Sequence, residues 1–245
     1  MENAQLVGLS RQLVLRRQMD VLANNVANIN TSGFKSQQLG FEDYIMPVAR
    51  ENTFQYGNTK VNFVHDFGSI YDFSSGSIVQ TGNPLDVAIN GDGWLAVETP
   101  EGERYTRDGS LGINANGELV TQGGNRVLGT SGPITLDPND GEITIAADGT
   151  ISAGGNVRGR LRLVRFEDPK ALTAYGDNLF NGQNALDDTT SRLVQGSVEK
   201  SNVSGVKEIT RLIDVTRAYE SLARMQKDTD DLRQQAISDL GRLEA

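Results

Sequence analysis

The chain has 245 residues, a net charge of −9, one histidine and no cysteine, which excludes disulfides, thiolate metal sites and cysteine nucleophiles. The charge is uneven: residues 1–35 carry four basic and two acidic groups, 199–245 carry eight and nine, and 36–198 carry eleven and twenty-one. No basic patch marks a nucleic-acid surface, no run of 18 apolar residues could span a membrane, and no basic stretch leads an apolar core at the N-terminus as in a cleavable secretory signal.

Met1 to Ile29 reads as a helix. Leu6, Leu9 and Leu13 form one apolar stripe, and Leu15, Met19, Leu22, Val26 and Ile29 a second, offset by two residues. Asn28 to Gly33 (Asn-Ile-Asn-Thr-Ser-Gly) supplies the stop, because Asn competes for backbone hydrogen bonds and Gly takes the left-handed conformation that closes helices. Asn24 and Asn25 precede that stop, where a poor helix former is unusual. Either they lie on the wet face, or they hydrogen-bond across a helix–helix contact and fix its register.

Residues 36–75 read as an extended connector. Eight aromatic residues fall between Phe41 and Phe73, among them Tyr44, Phe54, Tyr56 and Tyr71, which argues against full disorder. The next stretch, 76–198, differs in kind. Of 27 glycines, 21 lie between Gly68 and Gly196. Short β-branched and aromatic runs alternate with Asn-Gly and Asp-Gly turns at Asn90-Gly91, Asp92-Gly93, Asp108-Gly109, Asn116-Gly117 and Asp148-Gly149, so an antiparallel all-β domain is expected. Arg158–Phe166 alternates cleanly, and Asp168–Tyr175 reads as one short helix.

Val206 to Leu243 reads as a second, longer helix. Leu212, Val215, Tyr219, Leu222, Met225, Thr229, Leu232, Ala236, Leu240 and Leu243 recur at steps of three or four, near the spacing of a coiled-coil seam. A helix well over about 50 Å long cannot bury its stripe on a small domain, and the N-terminal helix is its natural partner. The expected architecture is α+β: terminal helices, 1–35 and 199–245, packed as a coiled-coil-like base, with an antiparallel β domain inserted between them.

Catalytic patterns fail on context. Gly91-Asp92-Gly93-Trp94-Leu95-Ala96 follows an apolar run as a dinucleotide fingerprint does, but Trp94–Glu98 reads as another strand where the fingerprint needs a helix. Asp137 to Glu142, with Asp148, resembles a calcium loop whose glycine falls one place early and whose twelfth position is Asp, not Glu. His65 stands alone, so no Ser/His/Asp arrangement can be built. No catalytic, metal or cofactor residues are assigned.

Four ordered motifs resemble the flagellar rod and hook proteins. The first is Ala23-Asn24-Asn25-Val26-Ala27-Asn28-Ile29-Asn30-Thr31-Ser32-Gly33-Phe34-Lys35. The second, Thr81-Gly82-Asn83-Pro84-Leu85-Asp86-Val87-Ala88-Ile89-Asn90-Gly91-Asp92-Gly93-Trp94, resembles the family's TGNPLDxAIxGxGFF, with Trp94 where many members have Phe. The third is Tyr105-Thr106-Arg107-Asp108-Gly109 with Gly117–Thr121 and Val127-Leu128-Gly129; Ser110-Leu111-Gly112 replaces an aromatic usual in the family. The fourth is Gln195–Glu199 with Ser201-Asn202-Val203, followed by Arg217-Ala218-Tyr219-Glu220 inside the last helix.

The resemblance implies a subunit of the axial rod of the bacterial flagellar basal body, exported without signal cleavage by the flagellar export apparatus and assembled in the periplasm with other rod proteins and copies of itself. Modest length favours the short proximal-rod member over the distal one. Subunit packing is expected at Leu6, Leu9, Leu13, Leu15, Leu22, Val26, Ile29, Leu212, Val215, Tyr219, Leu222 and Leu232, with no membrane span, nucleic acid or cofactor. The alternatives are a glycan- or calcium-binding module on a coiled-coil stalk and a dinucleotide-dependent enzyme.

Overall fold

Two long helices bracket the chain: α1, Glu2–Ala27, and α2, Gly205–Leu243. The computed structural model describes residues 2–45, 62–137 and 141–243; the side chains at 2–7, 41–45, 62–68, 236, 237 and 239–243 fall outside the description. The architecture is α+β, with antiparallel strands between the helices.

The chain divides into a helical unit, residues 1–26, 37–70 and 204–245, and a β unit, residues 27–36 and 71–203. The stretch read as an extended connector is therefore split. Gln37–Ile45 and Asn62–Tyr71 pair as a two-stranded sheet. The division falls at Tyr71, and not at 76, because Tyr71 and Phe73 pack into the aromatic core of the β unit. Phe54 and Tyr56 lie outside the described residues, as do the side chains of Phe41, Tyr44 and His65.

The main sheet of the β unit runs, in spatial order, Thr173–Gly176, Leu179–Asn181, Gly102–Thr106, Trp94–Thr99, Arg126–Gly129, Leu119–Thr121, Leu111–Ile113. Its centre is the hairpin that pairs Leu95 with Thr106 and Val97 with Arg104. A strand thus follows Gly93 where a nucleotide-binding unit requires a helix, and the dinucleotide reading fails on that ground. Two of the five Asn-Gly and Asp-Gly turns close hairpins, whereas Asn90-Gly91, Asp92-Gly93 and Asp108-Gly109 join strands that do not pair with each other. Gly117, φ +81°, joins Leu111–Ile113 to Leu119–Thr121, and Gly149, φ +90°, joins Ile143–Ile145 to Thr150–Ala153. Both glycines occupy the left-handed region that a side chain disfavours.

Two expected elements differ. The alternating run 158–166 is not one strand: Asn156–Arg160 pairs with Thr150–Ala153, whereas Leu163–Arg165 pairs with Trp94 and Leu95. Leu161 and Leu163 still point to one buried side, so the alternation reports a face that two sheets share. Asp168–Tyr175 is not a helix. Asp168 caps a single 3-10 turn, Pro169–Ala171, by accepting from the Lys170 amide, and Thr173–Gly176 continues as a strand.

The β unit holds two cores. One gathers Val87, Leu95, Val97, Leu119, Val127, Ile151 and Leu161. The other is aromatic: Phe73, Phe166 and Phe180 set their rings edge-on to Trp94 at centroid distances of 5.5, 6.5 and 5.2 Å, near the preferred geometry for ring quadrupoles.

Candidate functional site

In the helical unit, α1 and α2 run antiparallel side by side. Asn25 of α1 donates from Nδ2 to Glu208 Oε2 of α2 at 3.0 Å. Thr216 Oγ1 lies 3.7 Å from Met19 Sδ. Gly8 sits so close to Gln226 that a Cβ there would come within 2.6 Å of its Nε2. Going back along α1 from Asn25 through Met19 to Gly8 goes forward along α2 from Glu208 through Thr216 to Gln226, as an antiparallel pair requires.

The apolar positions divide by face. Leu22 and Val215 are buried, and Leu15, Val26, Ile29, Leu212, Tyr219 and Leu222 are half-buried. Leu9, Leu13, Met225 and Leu232 are exposed, and so are Val206, Ile209 and Ile213 on the side of α2 away from Val215. The side chain of Leu6 lies outside the described residues. The adjacent asparagines also separate. Asn24 faces solvent; Asn25 is buried, accepts from the Gln37 amide at 2.9 Å and donates to Gln37 O at 2.8 Å. Glu208 is buried and accepts from Arg211 as well.

In the β unit the motif residues meet in a buried ionic cluster. Lys35 Nζ donates to Glu199 Oε1 and to Ser74 O, both at 2.7 Å. Arg107 Nε donates to Glu199 Oε2 at 2.8 Å, and its two terminal nitrogens donate to Gly93 O and Gly91 O, each at 2.9 Å. The Gly76 amide donates to Glu199 Oε1 at 2.8 Å. The three charged side chains expose 1%, 3% and 1% of their surface for Lys35, Arg107 and Glu199.

One carboxylate between two cations leaves an excess positive charge, which the carbonyls of Ser74, Gly91 and Gly93 and the Asp72 charge near Lys35 help to solvate. Burial pulls the Lys35 ammonium below its ordinary pKa, with Glu199 acting in the opposite sense. Burial acts to raise Glu199, but Arg107 and Lys35 outweigh it and hold the carboxyl below its ordinary range. A depressed carboxyl contributes stability above its unfolded pKa, and that contribution is lost as pH falls through the folded value. Acid therefore dismantles this cluster by neutralising Glu199.

The remaining motif residues frame the cluster. Gly33, φ +66°, donates its amide to Glu199 O at 2.7 Å, and a Cβ there would lie 2.3 Å from the Arg107 carbonyl carbon. Phe34 O accepts from the Asn202 amide, and Asn202 Oδ1 accepts from the Ser36 amide at 2.7 Å. Asn202 Nδ2 donates to Asp72 O at 2.7 Å, Ser201 Oγ accepts from the Val203 amide, and Val203 is buried. Asn28 caps its own turn by accepting from Thr31 Oγ1.

A second group closes around Asp86, which accepts from Thr81 Oγ1 at 2.7 Å and Asn83 Nδ2 at 2.9 Å. Gly82 takes φ +76°, Pro84 O accepts from Gln195, and Leu85 packs on the core. Burial, reinforced by the Asp86 charge, pushes Asp108 up to about 6. Arg107 and Glu199 lay inside quoted motifs, yet nothing in their spacing singles them out, since a lone charge beside a strand reads as solvated. Among the described residues no three His, Asp or Glu side chains are grouped as metal ligands. Asp148, the last position of the calcium-like loop, instead accepts from the Thr150 amide and hydroxyl; residues 138–140 of that loop lie outside the description.

Three family models match the chain. Residues 6–35 match the flagella basal body rod protein model, 88–153 the flagellar hook protein FlgE/F/G D1 domain, and 194–239 the flagellar basal body rod FlgEFG protein C-terminal. The chain is 43% identical over 247 residues to the flagellar basal-body rod protein FlgF of Caulobacter vibrioides, covering 99% of this chain and all of the relative. The chain belongs to the flagellar basal-body rod proteins. A second FlgF, of Mesorhizobium japonicum, is 37% identical across 98% of this chain and 99% of its own. The FlgG rod protein of Bacillus subtilis is 31% identical across 94% and 96%. Lys35, Arg107 and Glu199 come one each from the three matched rod-family segments.

Proposed function

We propose that this chain is a structural, non-catalytic subunit of the flagellar basal-body rod, at the proximal position, and that it polymerises through its terminal helices. The observation that carries the reading is the apolar surface the helices leave uncovered: Leu9, Leu13, Val206, Ile209, Ile213, Met225 and Leu232. Fully burying a side chain of this kind contributes about 1.5–3 kcal/mol, and neighbouring helices of the same type supply the cover. Coiled-coil-like packing between copies and with other rod proteins then makes the axis stiff enough to carry torque. The identity to relatives named FlgF supports the proximal position. Export without signal cleavage and a periplasmic site complete the proposal, and the absence of any described helix long and apolar enough to cross a membrane accords with it.

The test is incorporation. Leu222→Asp, in the half-buried seam, and Leu13→Asp, on an exposed face, should leave the β unit with its normal melting transition. Both chains should be missing from isolated basal bodies. Wild-type incorporation of both variants would defeat the assembly reading.

A further inference from the structure

Residues 27–36 leave α1 and fold with the β unit rather than with the helices. None of them belongs to either hydrophobic core of that unit. Their ties are polar and run to the far end of the chain. Gly33 N donates to Glu199 O, Asn202 N donates to Phe34 O, Ser36 N donates to Asn202 Oδ1, and Lys35 reaches Glu199 across 164 residues of sequence. Asn178 Nδ2 adds a bond to Ser32 O at 2.8 Å. The segment is therefore a strap laid over a sheet that has its own apolar core.

We propose that Lys35, Glu199 and Arg107 form a clasp that holds this strap, so that the β unit closes only when residues 33–36 and 197–203 are both in place, and opens locally when the clasp loses a charge. The physical reason is asymmetry. A buried ion pair contributes little against a well-packed apolar replacement, but removing one member strands the other in a low-dielectric interior. Among the described residues Glu199 is the one carboxylate bonded to both cations, so neutralising it leaves each with backbone carbonyls alone. Strap and sheet differ in what would respond. The strap has charge and hydrogen bonds to lose, while Leu95, Val97 and Val127 sit in an apolar core that the clasp does not supply. A chain lacking the C-terminal end strands Lys35 and Arg107, and one lacking the N-terminal end leaves Glu199 with Arg107 alone, so full closure reports that both ends have arrived. The inference stands on the β unit alone and does not depend on the assembly reading.

Amide hydrogen exchange on the full-length chain tests it, comparing wild type with Glu199→Gln and Lys35→Met. Glu199→Gln should accelerate exchange at Gly33, Ser36 and Gly76 by about 100-fold, while Leu95, Val97 and Val127 stay within a few-fold of wild type. Lys35→Met strands no cation and leaves Glu199 paired with Arg107, so it should accelerate the same three amides less. Combining the two substitutions should slow exchange relative to Glu199→Gln alone, because one stranded cation is gone. Equal acceleration across the whole β unit, or failure of both single variants to fold, would show a general core element instead of a clasp and overturn the proposal. Unchanged exchange at Gly33 and Ser36 would overturn it as well.

Discussion

Leu95, Val97, Leu119 and Val127 of the β unit expose none of their surface, whereas Leu13 of α1 exposes 60% and Leu232 of α2 exposes 65%. Both regions draw on the same driving force, the removal of apolar area from water. In the β unit it is satisfied within the chain, by sheets whose inward positions interlock. Along the helices it is satisfied on one side only, where α1 meets α2 around Leu22 and Val215. The first region is closed on itself; the second leaves an apolar face open, which the proposed assembly would cover. Substitutions should therefore act on stability in one and on association in the other.

The sharpest test of that division is Trp94→Ala. Trp94 is buried among Phe73, Phe166 and Phe180, so its loss should cost the β unit about 3–5 kcal/mol. Near-ultraviolet circular dichroism should lose its melting transition at a lower temperature. The far-ultraviolet helical signal should persist past that point. A single shared transition would mean the two regions are one cooperative block.

Next in size is Asn25→Ala. It removes the bond between α1 and Glu208 and leaves the Gln37 amide unpaired, at a cost of about 1–3 kcal/mol. The effect should appear as faster exchange at Gln37 and in the first turn of α2.

Asp108→Asn should act with the opposite sign. Burial raises the folded pKa of Asp108 to about 6 from an ordinary 3.8, so the folded state disfavours its charge. Stability is then lost as pH rises from 3.8 to 6. Asn keeps the oxygen that accepts from the Ser110 amide. The variant should melt slightly higher than wild type at pH 7 and match it below about pH 4. A lower melting point at neutral pH would show that the carboxylate is held by a contact more valuable than its burial is costly.

The sequence made the helices legible, because a 3-4 spacing can hardly mean anything else over so many residues. Hairpins were legible at Asn116-Gly117 and Asp148-Gly149, but the same dipeptides at 90–93 and 108–109 mark crossings between unpaired strands. Two things were not. Alternation over 158–166 specifies which side is buried, but one strand and a corner between two sheets produce the same pattern, with Leu161 and Leu163 inside either way. The ionic cluster was illegible for a stronger reason. Lys35, Arg107 and Glu199 are distant in sequence and ordinary in type, and only the fold brings them together. Asn25 lay between these cases: its oddity inside a helix was visible, its partner Glu208 was not.

The unequal lengths of the two helices have a geometric consequence. Gly8 lies beside Gln226, and α1 begins at Glu2, so α2 continues past the start of its partner to Leu243. That leaves roughly ten residues, about 15 Å of helix, as a single tongue. In the assembly proposed above, such a tongue would lie alongside the next molecule as a lap joint rather than a flush butt joint, and a lap joint shares load across a seam instead of concentrating it at a break.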